Sequence, residues 1–467
     1  MKKTLFLFSV LFSLQTFSNS LNELLVQNPY SAFFRKAYSL NPSVPKGVLE
    51  SIAFTQSRFN HLNDTQEQSC IAYPKAYSVM GLTEDGKGYF RNNLLAVAQL
   101  SGYSADDIKS DPEKSILAYA KAFAALQQQY GIYGEDLSLY KSIFIALSEL
   151  PLTNDIQNDF AMNAHLYQLY WFLSKGDFQD FYSFPDHGID LKTVFGTNYD
   201  ILSASSVQIS SSGITSQSGA QYRSGGGFAV ASVDYGPALS DFTTCNYSSR
   251  SGTAITMIAI HDVEGTYAGC ISWFKNCSAQ ASAHYVVRSS DGQITQMVLE
   301  SNKAWHIGSE NPYTLGIEHE GYASSGNTWY TTAMLTSSAA LVRDMCTDNA
   351  INPLRCYFGP GCSGTTQQCQ QGTCVKVKGH QMYPNQTHSD PGPYWNWDKF
   401  YKLLNNTPVI TTVTASSGTF YDTGGAAGAY ANDERKLWLF QPSGGATSVS
   451  MNFTSFNLEN NYDYMFI

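Results

Sequence analysis

The chain has 467 residues, more than one hydrophobic core ordinarily organises, so two to four domains are expected. Hydrophobic residues make up 43% of the chain and charged residues only 14%, which excludes a disordered protein. The net charge of −10 argues against nucleic acid as the main partner.

The N-terminus has the pattern of an export signal. Met1-Lys2-Lys3 supplies a basic start, and an apolar run over Thr4–Leu14 leads to small polar residues around Ser18–Ser20. The run is too short for a comfortable membrane span. Residues 1–20 are therefore predicted to be a secretory signal peptide, with a buried N-terminal helix as the alternative. No other stretch is apolar enough to span a bilayer.

Residues 21–200 are predicted to form a helical domain. Its clearest segment begins at Asp111-Pro112-Glu113 and ends at Gly131. Asp as the N-cap, Pro in the first turn and Gly after the last turn are the usual residues at helix boundaries. Two further helices are predicted over Pro45–Phe59 and Ala161–Leu173.

Residues 201–227 are rich in Ser and Gly, have almost no large apolar residues and are predicted to be a flexible linker. Strand and helix patterns then alternate over residues 228–407, which predicts one α/β domain with a mixed sheet flanked by helices. Its predicted strands and helices lie at Ala254–Ile260, His284–Arg288, Ile294–Leu299, Thr314–Glu320, Thr331–Asn349 and Trp395–Leu404.

Residues 408–467 show short alternating strands split by turns, which predicts an all-β module. The opening Gly418-Thr419-Phe420-Tyr421-Asp422-Thr423-Gly424-Gly425 and the ending Asn461-Tyr462-Asp463-Tyr464 resemble the start of a CUB-type β-sandwich. The chain stops inside an expected strand, so the module is predicted to be partial. The whole chain is thus expected to be multidomain.

Nine cysteines fit an oxidising compartment, where disulfides form. Eight lie between Cys245 and Cys374, and Cys70 stands alone upstream. No Cys-x-x-Cys pair occurs, so a cysteine zinc cluster is not expected. The segment Cys356–Cys374 is predicted to be a disulfide-stapled surface loop. The pairing stays open among Cys346, Cys356, Cys362, Cys369 and Cys374.

Three polar residues have the types and spacing of a metal site. His261 follows the apolar run Met257–Ile260, and His380 and Asp390 lie ten residues apart. Two imidazoles and one carboxylate leave the fourth position on zinc open for water, which is the pattern of a catalytic site. Ordinary polar loop residues are the alternative.

Five motifs follow one another over about residues 250–405 in a fixed order. They are Ile260-His261, Ser282-Ala283-His284-Tyr285, Ala304-Trp305-His306-Ile307-Gly308, Leu315-Gly316-Ile317-Glu318-His319-Glu320 and His388-Ser389-Asp390-Pro391-Gly392-Pro393. Together they resemble the type 2 N-acetylmuramoyl-L-alanine amidases, relatives of the peptidoglycan-recognition proteins. The resemblance implies a bacterial, secreted or periplasmic hydrolase that cleaves the amide bond between N-acetylmuramic acid and L-alanine of peptidoglycan.

The resemblance also implies one Zn²⁺ per chain, held by His261, His380 and Asp390. Glu318 takes the position of the general base. His388 stands where many of these amidases carry lysine, and as a hydrogen-bond donor it would stabilise the developing oxyanion.

Further roles follow from the same resemblance. His284, Trp305, His306 and Glu320 are expected to contact the substrate, although a structural role for His284 and for Glu320 stays open. A short-loop disulfide between Cys270 and Cys277 is carried over from related recognition proteins.

Val44–Asn60 and Ser78–Leu82 are similar to the opening of lysozyme-like transglycosylase domains. In those domains a glutamic acid protonates the glycosidic oxygen, and the matching residue here is Gln56, whose amide cannot act as that acid. The helical domain is therefore predicted to be an inactive glycan-binding or scaffold domain. A helical domain without any glycan contact is the alternative.

Two rival functions belong to other classes. A peptidoglycan-recognition protein would bind the wall without cutting it, but such proteins lose a metal ligand, and all three candidates are present here. A muramidase would have to work without a glutamic acid at Gln56.

Overall fold

The structure is a computed structural model. It describes residues 22–153, 155–204, 207–210, 213–216, 221–222, 239–240, 245–364, 366–406, 410–422, 424–430, 437–442, 444, 446, 448–458 and 465. The predicted signal peptide, residues 1–20, lies outside the described residues. Within the described residues, no helix is both long and apolar enough to cross a membrane.

The first part of the chain is a helical unit, as predicted. Its helices are α1 (Ser31–Leu40), α2 (Val48–Ser57), α3 (Asn93–Ser101), α4 (Ala105–Ser110), α5 (Pro112–Tyr130), α6 (Lys141–Leu147), α7 (Ile156–Leu173), α8 (Gly176–Tyr182), α9 (Leu191–Phe195) and α10 (Tyr199–Leu202). Two short strands, β1 (Ala76–Tyr77) and β2 (Leu82–Thr83), pair antiparallel between α2 and α3.

The ends of helix α5 are formed by the residues that predicted them in the sequence. The carboxylate of Asp111 accepts hydrogen bonds from the backbone N–H groups of Glu113 and Lys114, and Pro112 occupies the first turn. Gly131 follows the last turn with a φ of 67°, which glycine adopts without steric cost. The helix predicted over Pro45–Phe59 is α2, which begins three residues later, at Val48.

Part of the predicted linker is ordered into strands. β3 (Val207–Ser210), β4 (Gly213–Ser216) and β5 (Gln221–Tyr222) form an antiparallel three-stranded sheet. Val207 and Ile209 alternate with polar residues in β3, and β4 contains Ile214 and Thr215. The β propensity of these β-branched residues outweighs the low overall hydrophobicity on which the linker prediction rested.

The α/β region is built on a six-stranded mixed sheet in the order β13–β8–β12–β9–β10–β6. These strands are β6 (Leu239–Ser240), β8 (Met257–Asp262), β9 (Tyr285–Val287), β10 (Ile294–Gln296), β12 (Thr314–His319) and β13 (Val377–Gly379). Strands β13, β8, β12 and β9 run parallel, and β10 returns antiparallel to β9 as the predicted hairpin. A separate antiparallel pair joins β7 (Tyr247–Ser249) to β11 (Asn302–Ala304).

The two faces of the sheet pack against different partners, because side chains alternate along a strand. Ile258, Ile260, Leu315 and Ile317 join a core with α12 (Thr332–Asp348) and α14 (Trp397–Asn405). On the other face, Val286 of β9 joins the buried cluster that contains α11 (Tyr267–Lys275) and the helical unit. The short helix α13 (Thr366–Cys369) lies in the segment before β13.

The helical unit and the α/β region share one hydrophobic core. Phe54 and Phe172 of the helical unit and Ile271 and Phe274 of α11 belong to the same buried cluster. The indole of Trp273 stacks on Phe90 with ring centroids 5.7 Å apart. The predicted helical and α/β fold classes are therefore confirmed, but the two regions are packed together rather than separated.

In the C-terminal region, β14 (Ile410–Val413) pairs in parallel with β15 (Leu437–Phe440). Phe420 packs against Trp438 and Phe440. This pair does not decide whether residues 408–467 form an all-β, CUB-like module, which stays a prediction, as do the domain boundaries.

The structure has disulfides Cys245–Cys277 and Cys362–Cys369. The second staples the segment Cys356–Cys374, as predicted. The expected Cys270–Cys277 pair is wrong: Cys270 lies buried on α11 with a free thiol, and Cys277 reaches back to Cys245. The cause is the inward face of α11, which buries Cys270 in the shared core.

Non-reducing peptide mapping of the protein should yield a Cys245–Cys277 cross-linked peptide. Cys245→Ser should lower the free energy of unfolding by about 2–4 kcal/mol, because the disulfide restricts the unfolded chain. Cys270→Ser is the control and should keep the cross-link. A peptide that links Cys270 to Cys277 would contradict the structure.

Candidate active site

The candidate site lies at the carboxyl ends of three parallel strands, where α/β sheets commonly bind ligands. Strand register sets Glu318 of β12 beside His261 of β8, and Gly379 of β13 beside Ile260. His380 follows Gly379 directly, so it enters the same edge of the sheet. Residues far apart in sequence meet here because the strands are parallel neighbours.

The three predicted metal ligands converge. Nδ1 of His261 lies 3.0 Å from Oδ2 of Asp390 and 3.2 Å from Nδ1 of His380. Nδ1 of His380 lies 3.0 Å from Oδ1 of Asp390. All three side chains are buried. Together with Sγ of Cys70, their ligand atoms all lie within 4.8 Å of one another, a separation that suits one metal ion.

Burial and neighbouring charges shift the pKa values of these groups in opposite directions. Burial lowers the pKa of His261 to about 4, which keeps its imidazole neutral, the form that binds metals. Burial opposes the charge of Asp390, but the neighbouring His380 and the hydrogen bonds from both imidazoles hold the pKa of Asp390 well below its usual range. Burial also lowers the pKa of His380, and the charge of Asp390 outweighs it, so the net shift is upward.

Outer contacts orient both imidazoles. Nε2 of His261 lies 2.9 Å from Nδ1 of His306, whose Nε2 lies 3.2 Å from the hydroxyl of Thr314. Nε2 of His380 lies 2.8 Å from the side-chain oxygen of Gln386. A partner on the far ring nitrogen fixes the tautomer and the direction of the nitrogen that faces the ion.

Glu318 lies beside the three donors and is fully buried. Its Oε1 accepts a hydrogen bond from the thiol of Cys70 at 3.7 Å, whereas Oε2 has no hydrogen-bond partner among the described residues. Burial raises the pKa of Glu318 well above its ordinary value, and the charges of Asp390 and Asp262 raise it further. A cation bound at the donors would lower it again.

His388 lies at the rim of the site, two residues before Asp390. Its ring lies 5.5 Å from the ring of His380, centroid to centroid, and its side chain is 29% exposed. Nδ1 of His388 lies 3.7 Å from the carboxylate of Glu67, a residue of the helical unit. The same carboxylate accepts hydrogen bonds from the backbone N–H, at 2.8 Å, and the hydroxyl of Ser389.

The predicted substrate contacts divide into buried and accessible residues. Glu320 accepts the backbone N–H groups of Tyr267 at 3.0 Å and Ser289 at 2.8 Å, so it holds two loops in place. His284 accepts the N–H of Gly316 at 3.0 Å and contacts the guanidinium of Arg250 at 2.8 Å.

Three of the four expected substrate contacts, His284, Glu320 and His306, are buried in hydrogen-bond networks of the protein, and their contact with a substrate stays a prediction. Trp305 is half-buried, with its indole N–H on Ser248 at 3.2 Å, and stays a candidate substrate contact.

Sequence reasoning missed Cys70, Glu67 and Gln386. Cys70 carried one signal, since it was the lone cysteine outside the disulfide-rich segment. Glu67 and Gln386 carried none, because nothing in their local sequence distinguishes them from surface residues. His306 was recognised, but its contact with His261 was not.

Comparison with known proteins identifies the family. Residues 251–393 match the family model described as N-acetylmuramoyl-L-alanine amidase. The chain is 44% identical over 175 residues to N-acetylmuramoyl-L-alanine amidase A of Achromobacter lyticus. That match spans 37% of this chain and 96% of the relative. The chain belongs to the N-acetylmuramoyl-L-alanine amidase family. The protein is therefore an enzyme of this class, and the recognition-protein alternative is not retained.

Among solved structures, the amidase is similar to a selenomethionine derivative of AmpD, at 19% identity and a TM-score of 0.29. That match covers 38% of this chain and 99% of the other. It is also similar to the hydrolase AmiA of Staphylococcus aureus, at 20% identity and a TM-score of 0.28, over 36% of this chain and 80% of the other.

Glu320→Gln is expected to destabilise the amidase without changing KM. The carboxylate accepts two backbone N–H groups, and an amide can accept only one and sets its own NH₂ against the other. We expect a loss of about 1–3 kcal/mol in the free energy of unfolding. Chemical unfolding and initial-rate kinetics measure the two quantities. Glu135→Gln, at an exposed carboxylate, is the control, and a raised KM at unchanged stability would instead support Glu320 as a substrate contact.

Proposed function

We propose that the protein is an extracytoplasmic, zinc-dependent amidase. It hydrolyses the amide bond between the lactyl group of N-acetylmuramic acid and L-alanine of the peptidoglycan stem peptide. The observation that carries this proposal is the convergence of two Nδ1 atoms and one carboxylate beside the buried carboxyl group of Glu318.

The residues of the site fit a zinc ion. His261, His380 and Asp390 supply the two imidazoles and one carboxylate of a catalytic zinc site. Two ligand atoms about 2.0–2.1 Å from one tetrahedral ion lie about 3.3 Å apart, and the ligand atoms here are 3.0–3.3 Å apart. When bound, zinc acts as a Lewis acid that makes a water nucleophilic near neutral pH and stabilises charge on the carbonyl oxygen.

Each remaining group has a role that its position supports. Glu318, whose Oε2 has no hydrogen-bond partner in the described part of the chain, would accept the proton of the attacking water and then protonate the leaving amine of L-alanine. His388 at the rim would donate a hydrogen bond to the tetrahedral oxyanion. Trp305 would pack its half-buried indole against the glycan strand or the stem peptide.

We propose that the helical unit does not cleave glycan. Gln56 is buried and its amide donates to the buried carboxylate of Glu149 at 3.2 Å, so neither group reaches the surface where a polymer would bind. A scaffold or regulatory role suits a unit that shares its core with the α/β region.

Two features that are typical of exported proteins also support the proposal. The predicted signal peptide would send the chain out of the cytoplasm, and two disulfides are typical of an oxidising compartment. Peptidoglycan lies in that compartment as well.

Incubation with purified peptidoglycan tests the reaction. We expect new L-alanine amino groups and no new reducing sugar ends, with about one zinc per chain. Glu318→Gln should keep zinc and lower kcat by about 10²–10⁴-fold, as for loss of a general base. His261→Ala should lose zinc as well as activity. Reducing ends that persist after removal of the metal would point to glycan cleavage instead.

His388 and Asp390 should differ in what their loss removes. His388→Ala is expected to lower kcat by roughly a hundredfold or more with unchanged zinc content, because one oxyanion donor is lost. Asp390→Ala should release the metal, because it removes a ligand. Metal analysis beside initial rates separates the two variants. Full activity in His388→Ala would leave this histidine without a role in the reaction.

A further inference from the structure

One thiol of the helical unit lies in the zinc site. Sγ of Cys70 is 3.7 Å from Nδ1 of His261, on the side that faces His380 and Asp390. The thiol forms no disulfide and is separated from His261 by 191 residues of chain.

We propose that Cys70 is a fourth protein ligand of the metal and that it holds the full-length amidase in a latent form. This inference rests on the zinc site proposed above and assigns to it a ligand from outside the amidase region.

The separation between sulfur and nitrogen supports ligation. On one tetrahedral zinc, a sulfur at about 2.3 Å and a nitrogen at about 2.0–2.1 Å lie about 3.5 Å apart. The distance from Cys70 to His261 is 3.7 Å, close to that value. Cysteine sulfur is also a preferred zinc ligand, and a site with four protein ligands leaves no position for water.

Neighbouring contacts hold Cys70 at this point. The hydroxyl of Ser69 donates to the carbonyl of Val263 at 2.7 Å, one residue beyond the end of β8. The indole N–H of Trp273 donates to the carbonyl of Ile71 at 2.9 Å. Both residues that flank Cys70 are thus tied to the α/β region, so the thiol is positioned by the fold.

Glu67, in the same segment as Cys70, contacts the rim of the site. It accepts two hydrogen bonds from Ser389 and lies next to His388, the proposed oxyanion donor. With this segment in place, Glu318 and His261 are fully buried and no polymer reaches them. The segment of residues 67–71 must therefore move before peptidoglycan binds.

The family comparison shows that the matched amidase region does not include the helical unit. The Achromobacter lyticus relative is matched over 96% of its length by 37% of this chain, and the family model begins at residue 251. The matched length leaves no room in that relative for the helical unit. The helical unit is therefore an addition to the amidase, available for control of its activity.

X-ray absorption of the zinc-loaded full chain tests the ligand directly. We expect one sulfur scatterer at about 2.3 Å beside nitrogen and oxygen ligands. Cys70→Ala should lose the sulfur scatterer and keep about one zinc per chain. Cys374→Ala, which removes another free thiol, should keep it. A wild-type spectrum without sulfur, or sulfur that persists in Cys70→Ala, overturns the assignment.

Peptidoglycan hydrolysis by the same variants tests latency. We expect Cys70→Ala to hydrolyse peptidoglycan at least on the order of tenfold faster than the wild type. In the wild type, Cys70 would occupy the metal in most molecules, and only the remaining fraction would be active. Cys374→Ala should match the wild type. Equal rates for Cys70→Ala and wild type overturn latency. A Cys70→Ala protein that holds zinc but releases no L-alanine amino groups would instead overturn the proposed function.

Alkylation of the unmutated chain gives a readout that does not depend on folding of a variant. In native protein with zinc bound, iodoacetamide should modify Cys374 and spare Cys70. Removal of zinc by a chelator should make Cys70 reactive. Mass spectrometry of the peptides reports both sites, and labelling of Cys70 while zinc stays bound overturns its role as a ligand.

Discussion

The site depends on one buried carboxylate. Asp390 is 4% exposed, and a charge in that environment is stable only beside groups that stabilise it. Two imidazoles meet this need, one from the end of β8 and one directly after β13. Three features position the imidazoles against this carboxylate. They are the parallel pairing of the two strands, the loop from His380 to Asp390 and the hydrogen-bond partners on the far nitrogens of both rings.

Alternation along the strands then decides which polar residues take part in chemistry. Glu318 and His261 point to the face that turns toward the helical unit. His319, the next residue on β12, points to the other face, where its Nε2 lies 2.8 Å from Ser338 on α12. A shift of one residue in the pairing would exchange the carboxyl group of Glu318 for the imidazole of His319. Alternation thus separates Glu318 from His319, whereas Glu320 has the same parity as Glu318, and only the family resemblance favoured Glu318 over Glu320.

Local sequence patterns predicted most of the fold, but they did not predict the contacts between residues far apart in the sequence. The boundaries of α5 and the hairpin of β9 and β10 follow from residue types and spacing close in the sequence, whereas the set His261, His380 and Asp390 was proposed from residue types together with the family resemblance. Cys70 and Glu67 reach residues 191 and 322 positions away, a relation that single-sequence patterns do not contain. The Cys270–Cys277 pair, carried over from related recognition proteins, was wrong because the inward face of α11 buries Cys270 and Cys277 pairs with Cys245.

In the proposed latent site, charge balance favours the thiol in the closed form and water in the open form. Zn²⁺ with one carboxylate and one thiolate carries no net charge, and a neutral group is far cheaper to bury than an ion. Without the thiolate the site carries a net positive charge, which is stable where solvent enters. Withdrawal of Cys70 from the proposed metal site would thus admit water and uncover the buried carboxyl group of Glu318 in one movement.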